Sequence, residues 1–232
     1  MTSTVIAPPP AATVAVAGTD AVFPVRRIFC VGRNYAAHAR EMGGDPSKEA
    51  PFFFCKPADA VVPSGAVLPY PQATKDLHHE VELVLALKGG GTDLTVEQAA
   101  ETLYGIGVGV DLTRRDLQAE AKKAGRPWDM AKGFDRSAPL APLLPLTAPL
   151  DQVVPPSSRI RLSVNGSVRQ DGGLDEMILS PLEIIAHLSQ VVELAAGDLI
   201  FTGTPEGVAA LVPGDAVRAE VEGLPVLEFT LV

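Results

Sequence analysis

Apolar and polar positions change rhythm several times along the chain. Strict alternation is clearest in HHEVELVLAL, where Glu80, Glu82, Val84 and Ala86 fall on one face of a strand and Val81, Leu83 and Leu85 on the other. A second alternating run, YGIGVGVDLTRRD, sets Ile106, Val108 and Val110 against Gly105, Gly107 and Gly109, with Asp111 in phase with the glycines. Short apolar runs broken by Gly and Pro predict further strands near Ile28–Val31, Phe52–Cys55, Ile160–Val164 and Leu199–Thr202, with two or three more at the C-terminal end. Helical spacing is confined to Asn34–Met42, Thr95–Leu103, Thr113–Ala124 and Pro181–Val192. Thr95 with Glu97 and Gln98 in the next turn, and Ser180 ahead of Pro181, are helix-start signals. The pattern predicts an α+β fold dominated by a largely non-local sheet.

Composition narrows this picture. Residues 1–21 carry almost no charge and include Pro8-Pro9-Pro10, which predicts an extended arm, and 22–232 then form one catalytic-sized domain with no linker. Hydrophobic residues reach 47%, yet no run approaches the roughly 20 apolar residues that cross a bilayer, so no membrane role is expected. A formal charge of -9 argues against nucleic acid as a partner and leaves a small acidic ligand open, since a few local cations override the global field. Cys30 and Cys55 each sit in an apolar stretch, fitting buried strand positions in a reducing compartment. With no basic-then-apolar leader, the expected location is cytoplasmic.

The chemistry-bearing residues then stand out. Glu80 and Glu82 share a face and repel unless something neutralises them, and the apolar continuation of that face makes simple solvation a poor fit. The glycine face of the second run predicts open space leading to Asp111, and its spacing is wrong for a dinucleotide fingerprint. If the two strands meet, three carboxylates form an all-oxygen set suited to magnesium, manganese or calcium rather than zinc. His38 and Glu41, three apart on a short helix, suit a general base held by a carboxylate, or an ordinary surface pair. Lys132, set among Trp128 and Phe134, either faces an anion or reaches solvent. Arg33, at a strand end, either holds a substrate carboxylate or pairs with an acidic neighbour. The turn Thr202-Gly203-Thr204-Pro205 offers hydroxyls and amides to a carboxylate or oxyanion. His78 and His79 are expected to support the site rather than ligate, and His187 to lie on a helix surface or in packing.

Taken in order, GRNYAAHAREMG, HHEVEL, GVDLTRRDLQ, GRPWDMAKGFD and GDLIFTGTPEGV resemble the fumarylacetoacetate hydrolase family, from about Arg26 to Val232. The likeness is closest to its short single-domain members, above all the bacterial group acting on fumarylpyruvate. The resemblance implies a mixed β-roll with peripheral helices, usually a homodimer. It implies Mg2+ or Mn2+ held by Glu80, Glu82 and Asp111, with Lys132 beside the substrate and His38 and Glu41 as catalytic dyad on a segment that can order as a lid. Arg33, Tyr35, Gln118 and Thr204 match positions lining the pocket, while the stretch 43–49 varies in length among relatives. The implied activity is hydrolysis of a carbon–carbon bond in a small anionic 2-oxo acid, fumarylpyruvate, giving fumarate and pyruvate. Oxaloacetate decarboxylation, broader acylpyruvate hydrolysis and isomerisation of an oxo-diacid are the alternatives on the same scaffold. Three carboxylates and one divalent ion leave about one negative charge, so Lys132 is expected to make the pocket receptive to an anion.

Overall fold

The structure, a computed structural model, describes residues 4–41 and 52–232. Its largest sheet runs in the order β4 (Phe52–Lys56), β3 (Arg27–Gly32), β15 (Asp198–Phe201), β8 (Val81–Leu87), β9 (Leu103–Val110), β11 (Ala138–Leu140) and β5 (Val61–Pro63), with β12 (Leu144–Pro145) also on β9. Pairing is mixed, because β15 lies parallel to β3 and β11 to β5 while β8 and β9 are antiparallel. A second sheet follows the order β14 (Ser167–Gly173), β13 (Arg159–Val164), β17 (Ala216–Val221), β18 (Leu227–Leu231) and β6 (Ala66–Leu68). A small sheet of β10 (Thr113–Arg114), β7 (Leu77–His78) and β16 (Ala210–Leu211), and a hairpin of β1 (Thr13–Ala15) and β2 (Val22–Pro24), complete the strands of the described residues. The fold is α+β, a mixed β-roll with helices at its periphery.

Alternation decides how the layers close. Val81, Leu83, Leu85 and Leu87 of β8, with Ile106, Val108 and Val110 of β9, enter one core with Ile160, Leu162, Val217, Ala219 and Phe229 of the second sheet. Val84 and Ala86, on the other face of β8, join Ile28, Cys30, Leu199 and Phe201 in a second core. The central strand is therefore buried on both sides, which is why all seven residues of β8 are buried. That second core also takes Val14, Val16 and Phe23, so the later part of the stretch expected as an extended arm is a strand packed into the molecule.

Helices fill the gaps: α1 (Ala36–Glu41), α2 (Val96–Thr102), α3 (Arg115–Ala124), the single turns α4 (Asp129–Lys132) and α5 (Leu150–Val153), and α6 (Pro181–Ser189). Thr95 and Ser180 cap α2 and α6, each in a reciprocal box with the residue three positions on, Gln98 and Glu183.

Several expectations are corrected. The glycine face of β9 is closed, not open: a Cβ on Gly109 would lie 2.6 Å from the Phe201 ring and 2.7 Å from Val84, and one on Gly105 2.6 Å from the Leu144 carbonyl oxygen. The glycines admit neighbouring chain instead of ligand. Cys55 is exposed because β4 is an edge strand, although Cys30 is buried. The strand expected in the alternating run HHEVELVLAL breaks at His79–Glu80, and the helix expected from Thr113 starts at Arg115 because Thr113 and Arg114 pair with His78 and Leu77. Met42 and the variable stretch 43–49 lie outside the described residues.

Candidate active site

The β8–β9 pairing brings the two carboxylate segments together. Glu82 is in register with Gly109, and the Asp111 amide donates to the Glu80 carbonyl at 2.8 Å. One oxygen from each of Glu80, Glu82 and Asp111 lies within 4.8 Å of the others, and all three residues are buried. Cations converge on this cluster from elements distant in sequence. Lys132, delivered by α4, donates to Glu80 Oε2 at 2.8 Å, Asp111 Oδ2 at 2.6 Å and Thr113 Oγ1 at 2.6 Å. Arg115, at the start of α3, donates to Glu80 Oε1 and to Gln118 Oε1. Lys56, at the end of β4, stands 2.7 Å from Asp111 Oδ1 at ion-pair distance but off hydrogen-bond geometry, and donates instead to the carbonyls of Leu112 and Lys132.

Electrostatics divides the two glutamates. Burial opposes ionisation of Glu80, but Lys132 and Arg115 outweigh it and hold its carboxyl well below the usual range. Burial pushes Glu82 well above that range, and Asp111 and Glu80 push the same way against Lys132 and the Gly203 amide. That amide donates to Glu82 Oε2 at 2.7 Å, so the Thr202–Pro205 turn does hold a carboxylate, the protein's own. Burial also opposes the Lys132 charge, yet Asp111 and Glu80 raise its ammonium above the ordinary lysine value. Among the described residues no lysine or arginine pairs with Glu82, and Asp111 Oδ1 accepts no hydrogen bond. An uncompensated buried carboxylate beside two others, all hard oxygen donors, fits a divalent cation of the magnesium, manganese or calcium kind.

His38 and Glu41 are brought together as well. His38 Nδ1 lies 3.1 Å from Glu41 Oε2, which assigns the ring proton to Nδ1 and leaves Nε2 as the basic nitrogen. His38, Arg33, Gln118 and Thr204 line one cleft with Glu80, Glu82 and Lys132. Arg33 takes a left-handed backbone (φ 61°), held by the buried Asn34, whose side-chain amide donates to the carbonyls of Leu179 and Thr202. Tyr35 is not on the cleft wall; it is 1% exposed and bridges to Met177. His79 bonds to Gln170 and His78 to Asp76, burial lowering the pKa of each ring, and neither joins the carboxylate cluster. His187 is exposed on α6. A larger concavity of about 870 Å³, lined by Leu103, Leu146, Leu150 and Leu182, holds none of these residues, so size does not locate the chemistry.

Sequence reasoning missed four supports: Lys56, Arg115, Asn34 and Gln170. Gln170 is 1% exposed and links His79 and the Val81 amide to Thr204 and the Pro205 carbonyl, tying the glutamate strand to the turn that holds Glu82. A lysine closing the apolar run PFFFCKP and an arginine pair three residues after Asp111 were the available signals for the first two.

A β-roll carrying a buried triad of carboxylates that could hold a metal ion, with a His–Glu pair beside it, defines a class of enzyme. Within that class the chain belongs to the fumarylacetoacetate hydrolase family, since residues 27–232 match the model described as fumarylacetoacetate (FAA) hydrolase C-terminal. It is similar to a crystal structure of fumarylpyruvate hydrolase from Pseudomonas aeruginosa in complex with Mn2+ and pyruvate, with 49% identity, a TM-score of 0.94 and 99% of each chain covered. It is 42% identical to the fumarylpyruvate hydrolase of a Ralstonia species, over 81% of this chain and 95% of that one. It is also 39% identical to an oxaloacetate tautomerase of Escherichia coli, over 87% of this chain and 90% of that one. No helix of the described residues is long and apolar enough to cross a membrane.

Proposed function

We propose that the protein hydrolyses the carbon–carbon bond of an acylpyruvate, with fumarylpyruvate as substrate and fumarate and pyruvate as products. The observation that carries this reading is the charge balance of the buried cleft. Glu80, Glu82 and Asp111, when ionised, are matched by Lys56, Lys132 and Arg115, so a divalent ion leaves about two positive charges, not the single negative one that Lys132 alone would have to offset. A dianionic oxo-diacid answers that charge. The likeness to two fumarylpyruvate hydrolases supports the acyl group.

Glu80, Glu82 and Asp111 are the ligands in this reading. When bound, Mg2+ or Mn2+ supplies a Lewis acid for the carboxylate and adjacent 2-oxo oxygens of the substrate. His38, its Nδ1 proton held by Glu41, takes a proton from water at Nε2. The water oxygen adds to the distal carbonyl carbon, the bond to the methylene carbon breaks, and its electrons move into the pyruvate fragment as an enolate. Lys132 stands beside that charge, and the proton taken by His38 returns to the enolate carbon to give pyruvate. Arg33, Gln118 and Thr204 orient the bound acid from the cleft wall, and the active form is a homodimer in this reading.

Oxaloacetate chemistry is the second reading, favoured by the likeness to an oxaloacetate tautomerase. Purified protein with Mn2+ or Mg2+ is assayed on fumarylpyruvate, acetylpyruvate and oxaloacetate, with a chelator control. Chelator-sensitive release of fumarate and pyruvate, faster than the other reactions, supports the hydrolase; tautomerisation or decarboxylation of oxaloacetate alone overturns it.

A further inference from the structure

The inner end of the cleft is charged and the outer end is aromatic. Phe52 and Phe54 project from the same face of edge strand β4, two residues apart. The Phe54 ring lies 5.0 Å from Lys132 Nζ, at the buried end. The Phe52 ring lies over the backbone of Gly32 so closely that a Cβ there would overlap it. Trp128 stands edge-on to Phe52, with centroids 5.3 Å apart, and is tilted against Phe54 at 5.9 Å. All three rings line the cleft, so one packed aromatic wall stands beside the carboxylate cluster.

Helix α3 runs along the same cleft with a polar ladder. Arg115, Gln118 and Lys122 fall at spacings of three and four, hence on one helix face, and all line the cleft. The first rung holds Glu80 and the second, buried, accepts from the first. Lys122 is exposed at the mouth, two turns or about 10 Å of helix axis beyond Arg115. That span suits an extended seven-carbon diacid whose oxo-acid end sits at the carboxylate cluster.

We propose that Phe52, Trp128 and Lys122 form a subsite for the tail of the substrate, which is a flat, conjugated chain ending in a carboxylate. The chain lies along the wall that these rings form and Lys122 pairs with the terminal carboxylate. This assignment rests on the acylpyruvate reading above and adds what selects the acyl group: the subsite favours acids with a second, distal carboxylate over those ending in a methyl group.

Trp128 is the single tryptophan of the chain, so its fluorescence reports the subsite without any turnover. The Mn2+-loaded protein is titrated with 2-oxopimelate, an unreactive seven-carbon oxo-diacid, and with pyruvate, which has no tail. The expected result is a change in Trp128 emission with 2-oxopimelate and at least tenfold tighter binding than pyruvate. In Lys122→Met the two ligands bind within about threefold of each other, and Lys122→Arg restores the preference. Equal affinities in the unaltered protein, or a preference that survives Lys122→Met, overturn the subsite. Because binding is read directly, a protein that discriminates through Lys122 but fails to hydrolyse fumarylpyruvate loses the proposed reaction and keeps the subsite, and the reverse outcome does the opposite.

Discussion

Asp111 is fully buried, and Lys56 and Lys132 reach its two oxygens from different elements. Removing one member of such a group leaves the other charges uncompensated in a poor dielectric, which is costlier than the pair is favourable. Lys56→Met is expected to lower stability by about 3–5 kcal/mol in urea denaturation of the metal-free protein. A loss below about 1 kcal/mol would mean that Asp111 does not need this partner. Glu82 is the contrasting case, because its acidic neighbours oppose its charge and no lysine or arginine forms an ion pair with it among the described residues. Glu82→Gln keeps the shape and removes the repulsion. Its metal-free stability should match or exceed that of the parent, while Mn2+ affinity measured by calorimetry falls at least about 100-fold, beyond the usual loss for an outer-shell change. Unchanged Mn2+ binding would remove Glu82 from the ligand set.

Strands β8 and β9 carry the site because they are packed too tightly to shift. Phe201 and Val84 fill the space above Gly109, so Gly109→Ala overpacks a finished core and should cost about 1–3 kcal/mol, with part recovered by Phe201→Leu. Additive losses in the double variant would show that the two side chains do not share that space. At the start of α3, the Asp116 carboxylate accepts from Thr74 Oγ1 at 2.7 Å and from the Lys75 and Leu117 amides at 2.9 Å each, fastening the loop before β7 to the helix that carries Arg115. Burial works against its charge, but these donors outweigh it and leave its pKa below the ordinary value. A depressed acid contributes stability above its unfolded pKa of about 3.9 and loses it as pH falls through the lower folded value. Asp116→Ala should therefore cost on the order of 1 kcal/mol at neutral pH, with the two denaturation curves converging in acid below that range. A difference that stays constant down to acid would assign the loss to packing. These elements differ in how far the sequence disclosed them. Alternation announced β8 and β9, and capping residues announced α2 and α6. Strands β5, β6, β11 and β12 have two or three residues each, too few to show a period, and β14 reads SVRQDGG, polar because it is an edge strand.

On the scale of the molecule, the site is a meeting of separate pieces: β4 brings Lys56, β8 and β9 the carboxylates, α3 Arg115, α4 Lys132, and the turn after β15 the amide for Glu82. The carboxylate triad and Lys132 were legible because carboxylates and a lysine in apolar surroundings are conspicuous in one dimension. Asn34 and Gln170 were not, since their importance comes from non-local partners that no local pattern encodes. An ion at the triad would join carboxylates that only the folded pairing of β8 with β9 brings together, so its binding energy adds to the stability of the whole chain. At 100 times its dissociation constant an ion that binds only the folded state contributes about 2.7 kcal/mol. For a chain of this size each kcal/mol moves Tm by roughly 2–4 °C, so Mn2+ should raise Tm by several degrees, and a chelator should reverse the rise. Calorimetric scans of the protein and of Glu82→Gln, with and without Mn2+, test this. The shift should vanish in the variant, because two carboxylates already neutralised by lysine and arginine do not make a site; a shift of equal size in both proteins would place the ion elsewhere.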